Sequence, residues 1–530
     1  MKQLIALLLA AVMLLGMASC GNAPAAVDPD RAWTHYDSAV TLYQNEKYDQ
    51  AIEELKLSLR YDNTLVYTYT LLAASYDMLG EYQAALDVLD GAPGQVKQDV
   101  EIKNMREMIR QHLQYSPGPS RPETTQPETT APETEEYSVT VRDQERLNEL
   151  PLEDYRDRIV AVKCRDLDET ADLTPLTLLP NLRILDLSDS QDLTDAQLKV
   201  LSKCKALEYL NLGYTQATTV SMLADLPALK ELDLDSCKNF TDFASISQLK
   251  NLTSLCLMSI GVKDLSFLSG MTNLTKLDLR WSELEGASLE PLANLTKLEW
   301  LDIFNSGLDE ETDLTPLANL TNLTYLGLAM NRFLADVSCL APLTKLTELD
   351  LRSNSISDIS FISGMTDMTF LQLNANEITD VSALAGLTKM THLSLAANYW
   401  IEDISALAGM TELIQLRLDN NYKFTDISAL AGMTKLTYLN LEDTEISDIT
   451  SLKGMTQLTE LNLSKTSITD VGPLLALTSL EELEMNQCDQ LTDITPLLGM
   501  NWLKRIKVFG KNIPAEQITR VTEMVEKNND

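Results

Sequence analysis

The chain is short of the residues on which most enzyme and metal sites are built. Its 530 residues include three histidines, and only His392 lies in the repetitive part of the sequence. That scarcity argues against a histidine-rich metal centre and leaves little material for proton relays. Seven cysteines occur, none in a Cys-x-x-Cys pair. Six of them (Cys164, Cys204, Cys237, Cys256, Cys339 and Cys488) are scattered along the repeats and read as small buried residues, not as a disulfide framework or a metal site. There is no glycine-rich phosphate loop and no His-Glu-x-x-His. Basic residues are few: 42 Lys and Arg face 78 Asp and Glu, giving a formal charge of −36. Such an excess opposes unaided binding to nucleic acid or to anionic lipid headgroups and favours solvated acidic faces. No stretch is long and apolar enough to span a bilayer, because the Leu4–Leu15 run is too short.

What the chain has in abundance is one repeated sentence. Met368–Lys389 reads MTFLQLNANEITDVSALAGLTK and recurs almost unchanged at Met390, Leu413 and Leu436. Copies begin at Ile159, Leu182, Leu207, Leu229, Leu252, Leu274, Leu298, Leu323, Leu346, Met368, Met390, Leu413, Leu436, Leu458, Leu480 and Leu503, spaced by 22 to 25 residues. Self-similarity at that period predicts a solenoid. Each copy opens with Leu-x-x-Leu-x-Leu, a short strand sending its first, fourth and sixth residues inward and its third, fifth and seventh to one open face. A small polar residue at the ninth position (Asn376, Asn398, Asn421, Thr444) is placed to bond backbone groups freed as the chain leaves the strand. Next comes Asp-Ile/Val-Ser/Thr, as at Asp380-Val381-Ser382. Its Ser or Thr is expected to cap one short helical turn on the convex side, ended by Gly364, Gly386, Gly409, Gly432 and Gly454.

This pattern resembles the internalin-type class of bacterial leucine-rich repeats across residues 159–510. The resemblance implies an α/β solenoid, a leucine-rich-repeat horseshoe with a parallel β-sheet on its concave face. It also implies a secreted or surface protein that binds a partner there, with no catalytic residues. Residues 137–158 are expected to cap the first rung. Residues 511–530 are expected to cap the last one, with Ile518, Val521, Met524 and Val525 on one helical face.

The N-terminal part differs in kind. Lys2, the apolar run and Met17-Ala18-Ser19-Cys20-Gly21 read as an export signal over residues 1–19. The Cys after small residues resembles the lipobox of bacterial lipoproteins, although Met17 stands where Leu is commonest. The resemblance implies lipidation at Cys20, a tether over 20–30, and a lipid as the sole membrane anchor on the extracytoplasmic surface. Across 31–115, Tyr48-x-x-Ala51-Ile52-x-x-Leu55 recurs as Tyr82-x-x-Ala85-Leu86-x-x-Leu89, 34 residues later, with Gln95–Gln114 as a covering helix. This resembles a pair of tetratricopeptide repeats, a small all-α domain, with Ser58 and Asn63 departing from the usual Ala and Pro. Residues 116–136, SPGPSRPETTQPETTAPETEE, form a Pro/Glu/Thr-rich linker with nothing apolar to bury, extended over roughly 60 Å at ~3 Å per residue. Its threonines leave O-linked sugar open.

Function is sought on the concave face. Adjacent rungs bring Lys276, Asp278, Arg280 and Trp281 beside Trp300, Asp302, Phe304 and Tyr325; Glu348, Asp350, Arg352, Phe370, His392, Arg417 and Tyr438 follow along the same face. Exposed aromatics with Arg are the currency of protein interfaces. The reading is therefore a non-catalytic recognition protein without cofactor or metal, binding a protein ligand, with a carbohydrate or cell-wall ligand as the alternative. Asp278 and Asp302 are expected about 5 Å apart, the spacing of a retaining glycosidase pair. Lys276 and Arg280 would neutralise them, and an open sheet excludes no water. Cys256 and His392 lie six rungs apart, about 29 Å, too far for a nucleophile pair. The Asn-Leu-Thr sequons at Asn251, Asn273, Asn294 and Asn319 and the once-per-rung aspartates are explained as parts of the repeat.

Overall fold

The structure is a computed structural model. It describes residues 137–528, apart from 142, 151–154 and 166, and nearer the N-terminus chiefly residues 47–61, 66–78 and 82–92. The export segment, Cys20, the tether, the linker 116–136 and most of Gln95–Gln114 lie outside the described residues. The chain divides into two compact units, residues 1–120 and 121–530.

In the first unit three helices are described: α1 (Tyr48–Tyr61), α2 (Val66–Met78) and α3 (Tyr82–Gly91). Ala51 and Ala85, the small residues at the repeated position, are fully buried with Leu55, Leu72, Ala73 and Leu89. Small side chains there let helices approach closely, and the unit is a small all-α domain. Ser58, standing where Ala is usual, is also fully buried, and its hydroxyl meets that of Thr68 at 3.2 Å.

The second unit is a solenoid whose strands form a seventeen-stranded sheet in which every pairing between successive strands is parallel. It begins one strand earlier than the repeat pattern: β1 (Tyr137–Val141) pairs with β2 (Ile159–Arg165), so the N-terminal cap extends the sheet. Arg158 lies 4.4 Å over the Tyr137 ring, which packs edge-on against Tyr155 at 4.9 Å. Helix α4 (Gln144–Asn148) buries Leu147 against the same end. Most rungs return through one 3-10 turn, but two use short α-helices, α5 (Asp195–Leu198) and α6 (Phe243–Ile246). Helix α7 (Ala515–Asn528) closes the far end with Val521 and Val525 buried, and its Asn528 amide donates to the carbonyls of Met500 and Leu503. The inward leucines are 0–2 % exposed throughout and make one continuous core.

Two details of the rung differ from expectation. Most of the short turns are capped by aspartate and not by Ser or Thr, with Thr194, Thr219 and Ser288 in that role on three other rungs. Asp358 accepts from the Ser360 N–H at 2.8 Å, as Asp380 does from Ser382 and Asp403 from Ser405. Ser and Thr are the first residues of the turn, and the shorter carboxylate reach from two residues back satisfies the free N–H. The glycines end the turn without left-handed backbone. The left-handed residue is instead the eighth of each repeat, in thirteen consecutive rungs from Tyr214 to Gln487, and none of these is glycine. Only Asn305, Asn420 and Asp443 among them belong to types that tolerate that conformation readily. The stack enforces it: each such N–H donates to the next rung, as Ala397 does to the Asp419 carbonyl at 2.8 Å.

Gly386→Ala is therefore expected to stabilise. A Cβ there would find its nearest neighbour, the Ser363 carbonyl, at 3.9 Å. Restricting the unfolded chain contributes about 0.5 kcal/mol, read as a small rise in urea midpoint at constant slope.

Candidate functional site

The open face of the sheet carries the third, fifth and seventh residues of every rung, and the three-residue strands make their register exact. Lys276 lies beside Trp300 and Trp300 beside Tyr325; Asp278 lies beside Asp302 and Asp302 beside Gly327. The expected aromatic cluster assembles. Trp300 and Tyr325 stack with centroids 4.9 Å apart and planes 8° from parallel, and the Lys276 ammonium sits 4.6 Å from the Trp300 centroid. Trp281 and Phe304 meet edge to face at 5.5 Å, with the Arg352 guanidinium 5.7 Å from Phe304. Trp281 stands on the left-handed residue at the edge of the face and is 36 % exposed. Lys276 and Glu348 are exposed, whereas Trp300, Phe304, Tyr325, Arg280, Arg352, Phe370, His392 and Arg417 are partly exposed.

Four residues expected at the contact surface are buried instead: Asp278 and Asp302 are 3 % exposed, Asp350 and Tyr438 7 %. For the three aspartates the physical reason is side-chain length. A fifth-position aspartate is overtopped by the longer third- and seventh-position groups beside it, so these carboxylates support the surface and do not form it. Asp278 is gripped by Arg280, whose Nε lies 3.0 Å from both carboxylate oxygens and whose Nη2 lies 2.6 Å from Oδ2. Asp302 accepts from the Tyr325 hydroxyl at 2.8 Å and from the Phe304 N–H at 2.9 Å. Gly327 leaves the space for this arrangement, since a Cβ there would come within 2.6 Å of Asp302 Oδ1. Asp350 pairs with Arg352, and Arg417 pairs with Asp419 across two residues of its own rung.

Burial shapes the electrostatics. Desolvation raises Asp302 to about 6, with Arg280 opposing and Asp278 adding to the rise. Toward the N-terminus, desolvation raises Asp233 to about 6; it lifts Asp235 to about 8, reinforced by the charge of Asp233. Sequence reasoning passed over these two; two aspartates on one strand exit, two residues apart on the open face, were the available signal. For Asp186 burial is the largest single influence and pushes upward, but the Lys163 ammonium at 3.0 Å and the hydroxyl and N–H of Ser188 together outweigh it and the pKa falls. His392 is driven down to about 4 by burial and is neutral near pH 7, against Phe370 at 5.8 Å. Burial raises the thiols of Cys204 and Cys339 to about 11 and of Cys237 to about 12, away from nucleophilic range. Cys237 and Cys488 fill the ninth-position slot and donate through Sγ to the carbonyls of Leu212 and Leu463, replacing the amide found on other rungs.

Sequence reasoning also missed a second group of aromatics. Phe333, Tyr399, Trp400 and Tyr422 are 42–68 % exposed, at the tenth and eleventh positions beyond the left-handed turn. The signal was one extra residue: the repeats beginning at Leu323, Met390 and Leu413 have 23 residues where their neighbours at Leu346 and Met368 have 22.

A leucine-rich repeat region model matches residues 167–415, and a leucine-rich repeat model of two copies matches 411–454 and 456–499. With the parallel sheet and buried leucines above, the chain belongs to the leucine-rich-repeat proteins, whose fold is a protein-interaction scaffold. Among solved structures, an internalin from Listeria monocytogenes is 32 % identical, covering 54 % of this chain and 82 % of its own, with a TM-score of 0.49. A leucine-rich-repeat protein of Leptospira interrogans is 22 % identical over 68 % of this chain and 94 % of its own, with a TM-score of 0.52. The Arabidopsis receptor kinase HAESA, solved with a peptide hormone and a co-receptor, is 19 % identical over 71 % of this chain and 65 % of its own, with a TM-score of 0.53. Comparison with curated proteins finds no match. Among the described residues no helix is long and apolar enough to cross a membrane.

Proposed function

We propose that this chain is a non-catalytic recognition protein of the bacterial surface, lipid-anchored at Cys20, that binds a protein ligand through its concave face. The observation that carries the reading is the platform of Trp300 stacked on Tyr325 with Trp281 against Phe304, exposed or partly exposed on a sheet face that no other described element of the solenoid unit covers. Aromatic rings fixed by stacking lose little entropy on binding, and flanking Arg and Lys add directional contacts. The buried aspartates act beneath it: Asp302 orients the Tyr325 hydroxyl and Asp278 holds Arg280. HAESA, with the same fold, was solved in complex with a peptide hormone, a polypeptide like the ligand proposed here.

The test is a capture screen with the chain from Cys20 onward, against surface proteins on one arm and a glycan array on the other. A protein ligand is expected, with Trp300→Ala and Tyr325→Ala each weakening it by about tenfold or more. Undiminished affinity in both variants removes the platform from the site. Capture on the glycan array alone assigns the face to carbohydrate.

A further inference from the structure

The exposed aromatics beyond the turn form a second surface, separate from the concave face. Tyr399 and Tyr422 occupy the same position on adjacent rungs and stack with centroids 5.4 Å apart and planes 3° from parallel. Trp400, next in the loop, is 57 % exposed, and the Lys423 ammonium lies 5.2 Å from its centroid. The rim is acidic: Glu377 and Glu445 hold the equivalent position on the rungs to either side, and Glu402 follows Trp400; all three are exposed.

This surface comes at a cost to the fold. On regular rungs the ninth-position asparagine accepts, through Oδ1, an N–H from the preceding loop, as Asn376 does from Ile356 and Asn398 from Ile378. The extra residue in the Leu323 and Met390 repeats moves that N–H away. Asn354 Oδ1 and Asn421 Oδ1, which follow those two loops, are buried and have no hydrogen-bond partner. The two ninth-position asparagines whose oxygen is orphaned thus both follow loops that put aromatics into solvent, Phe333 in one and Tyr399–Trp400 in the other. Bulged loops that sacrifice a buried hydrogen bond and expose large rings are not explained by stability.

We propose that Tyr399, Trp400 and Tyr422 form a docking surface for a basic protein segment, whose lysine or arginine side chains lie on the rings while the rim carboxylates pair with neighbouring cations. Charge complementarity selects that occupant: the rings sit among carboxylates, and Lys423 already shows an ammonium resting over Trp400. Lys423 is then an internal competitor that an incoming cation displaces.

The test uses the full chain and a fluorescein-labelled peptide of six Lys-Gly units, followed by anisotropy at physiological salt. Trp400→Ala combined with Tyr422→Ala is expected to weaken binding about tenfold. Lys423→Ala is expected to strengthen it about threefold, and Phe509→Ala, at an exposed ring outside both aromatic clusters, to leave it unchanged. All substituted side chains are exposed or partly exposed, so far-ultraviolet circular dichroism should stay constant and serves as the folding control. Equal affinity in the double variant and the native chain assigns the peptide to the general negative field and overturns the proposal. So does weaker binding in Lys423→Ala, or tighter binding of a Glu-Gly peptide of equal length, either of which makes the ligand anionic.

Discussion

Replacing Asn398 by alanine is expected to lower the solenoid's unfolding free energy by about 3 kcal/mol, the sum of three buried hydrogen bonds lost and a partial cavity. Its amide nitrogen donates to the Leu373 carbonyl on the preceding rung at 2.9 Å and to the Leu395 carbonyl on its own rung at 3.0 Å. Its oxygen accepts from the Ile378 N–H at 3.1 Å. The carbonyls are shared with neighbouring asparagines, Leu373 with Asn376 and Leu395 with Asn421, so each keeps one donor. The Ile378 N–H keeps none, and that orphaned donor is the largest part of the loss. Asn398→Thr should recover part of the deficit, because Thr444 and Thr466 occupy this slot elsewhere and donate only to the carbonyl three residues back. Urea unfolding of the three proteins checks the order native, Thr, Ala. A second transition confined to the rungs beyond 398 is the signature of a solenoid split at one interface. A loss under about 1 kcal/mol would mean that the ladder is ornamental.

The second large effect is a fall in stability as pH rises from about 4 to about 8. Asp233 and Asp302, raised to about 6, and Asp235, raised to about 8, hold protons in the folded chain that the unfolded chain gives up near pH 4. Over that window the native state binds more protons than the unfolded one, so stability decreases with pH. His392 opposes this, since its folded value near 4 lies below that of the unfolded chain and its contribution grows as pH rises to about 6.5. The clearest fall is therefore between about 6.5 and 8, the window in which Asp235 ionises. Asp235 keeps some exposure, so the change is set by solvent screening at on the order of 1–2 kcal/mol. Below pH 4 the trend reverses: the N–H of the following Ser or Thr holds Asp380, Asp426, Asp448 and Asp493 below the ordinary carboxylate range, and their contribution is lost as they protonate. Maximum thermal stability is expected in mildly acid solution, and Asp235→Asn should flatten the decline between 6.5 and 8. A melting temperature that rises over this interval refutes the account.

Much of this protein is legible in its repeat. The leucine spacing predicts which side chains turn inward, and those at Leu371, Leu393 and Leu416 are 0–2 % exposed. The ninth-position ladder follows from the need to satisfy carbonyls where strands end, and Asn376, Asn398 and Asn421 occupy it. The pairing of Trp300 with Tyr325 follows from register alone. Three features were not legible. No glycine marks the left-handed eighth residue, because hydrogen bonds from the next rung impose it on Trp281, Met330 and Ala397 alike. The Asp-Ile-Ser signature puts two capable caps side by side, and only backbone geometry decides that Asp358, not Ser360, reaches the free N–H. Nor does alternation distinguish a fifth-position aspartate that faces a partner from one overtopped by its neighbours, as Asp278, Asp302 and Asp350 are.

The amino-acid sequence by itself determined the parallel stack, its core and the row of residues on its open face, because a period of 22 to 25 residues with fixed leucines admits one way to bury them. The tertiary structure alone decided which of those residues meet solvent. Exposure depends on the length of side chains two residues away and one rung across, and on whether a loop holds one residue more than its neighbours. That is why Asp302 sinks beneath Tyr325 and why Trp400, in a loop that the repeat treats as filler, stands free.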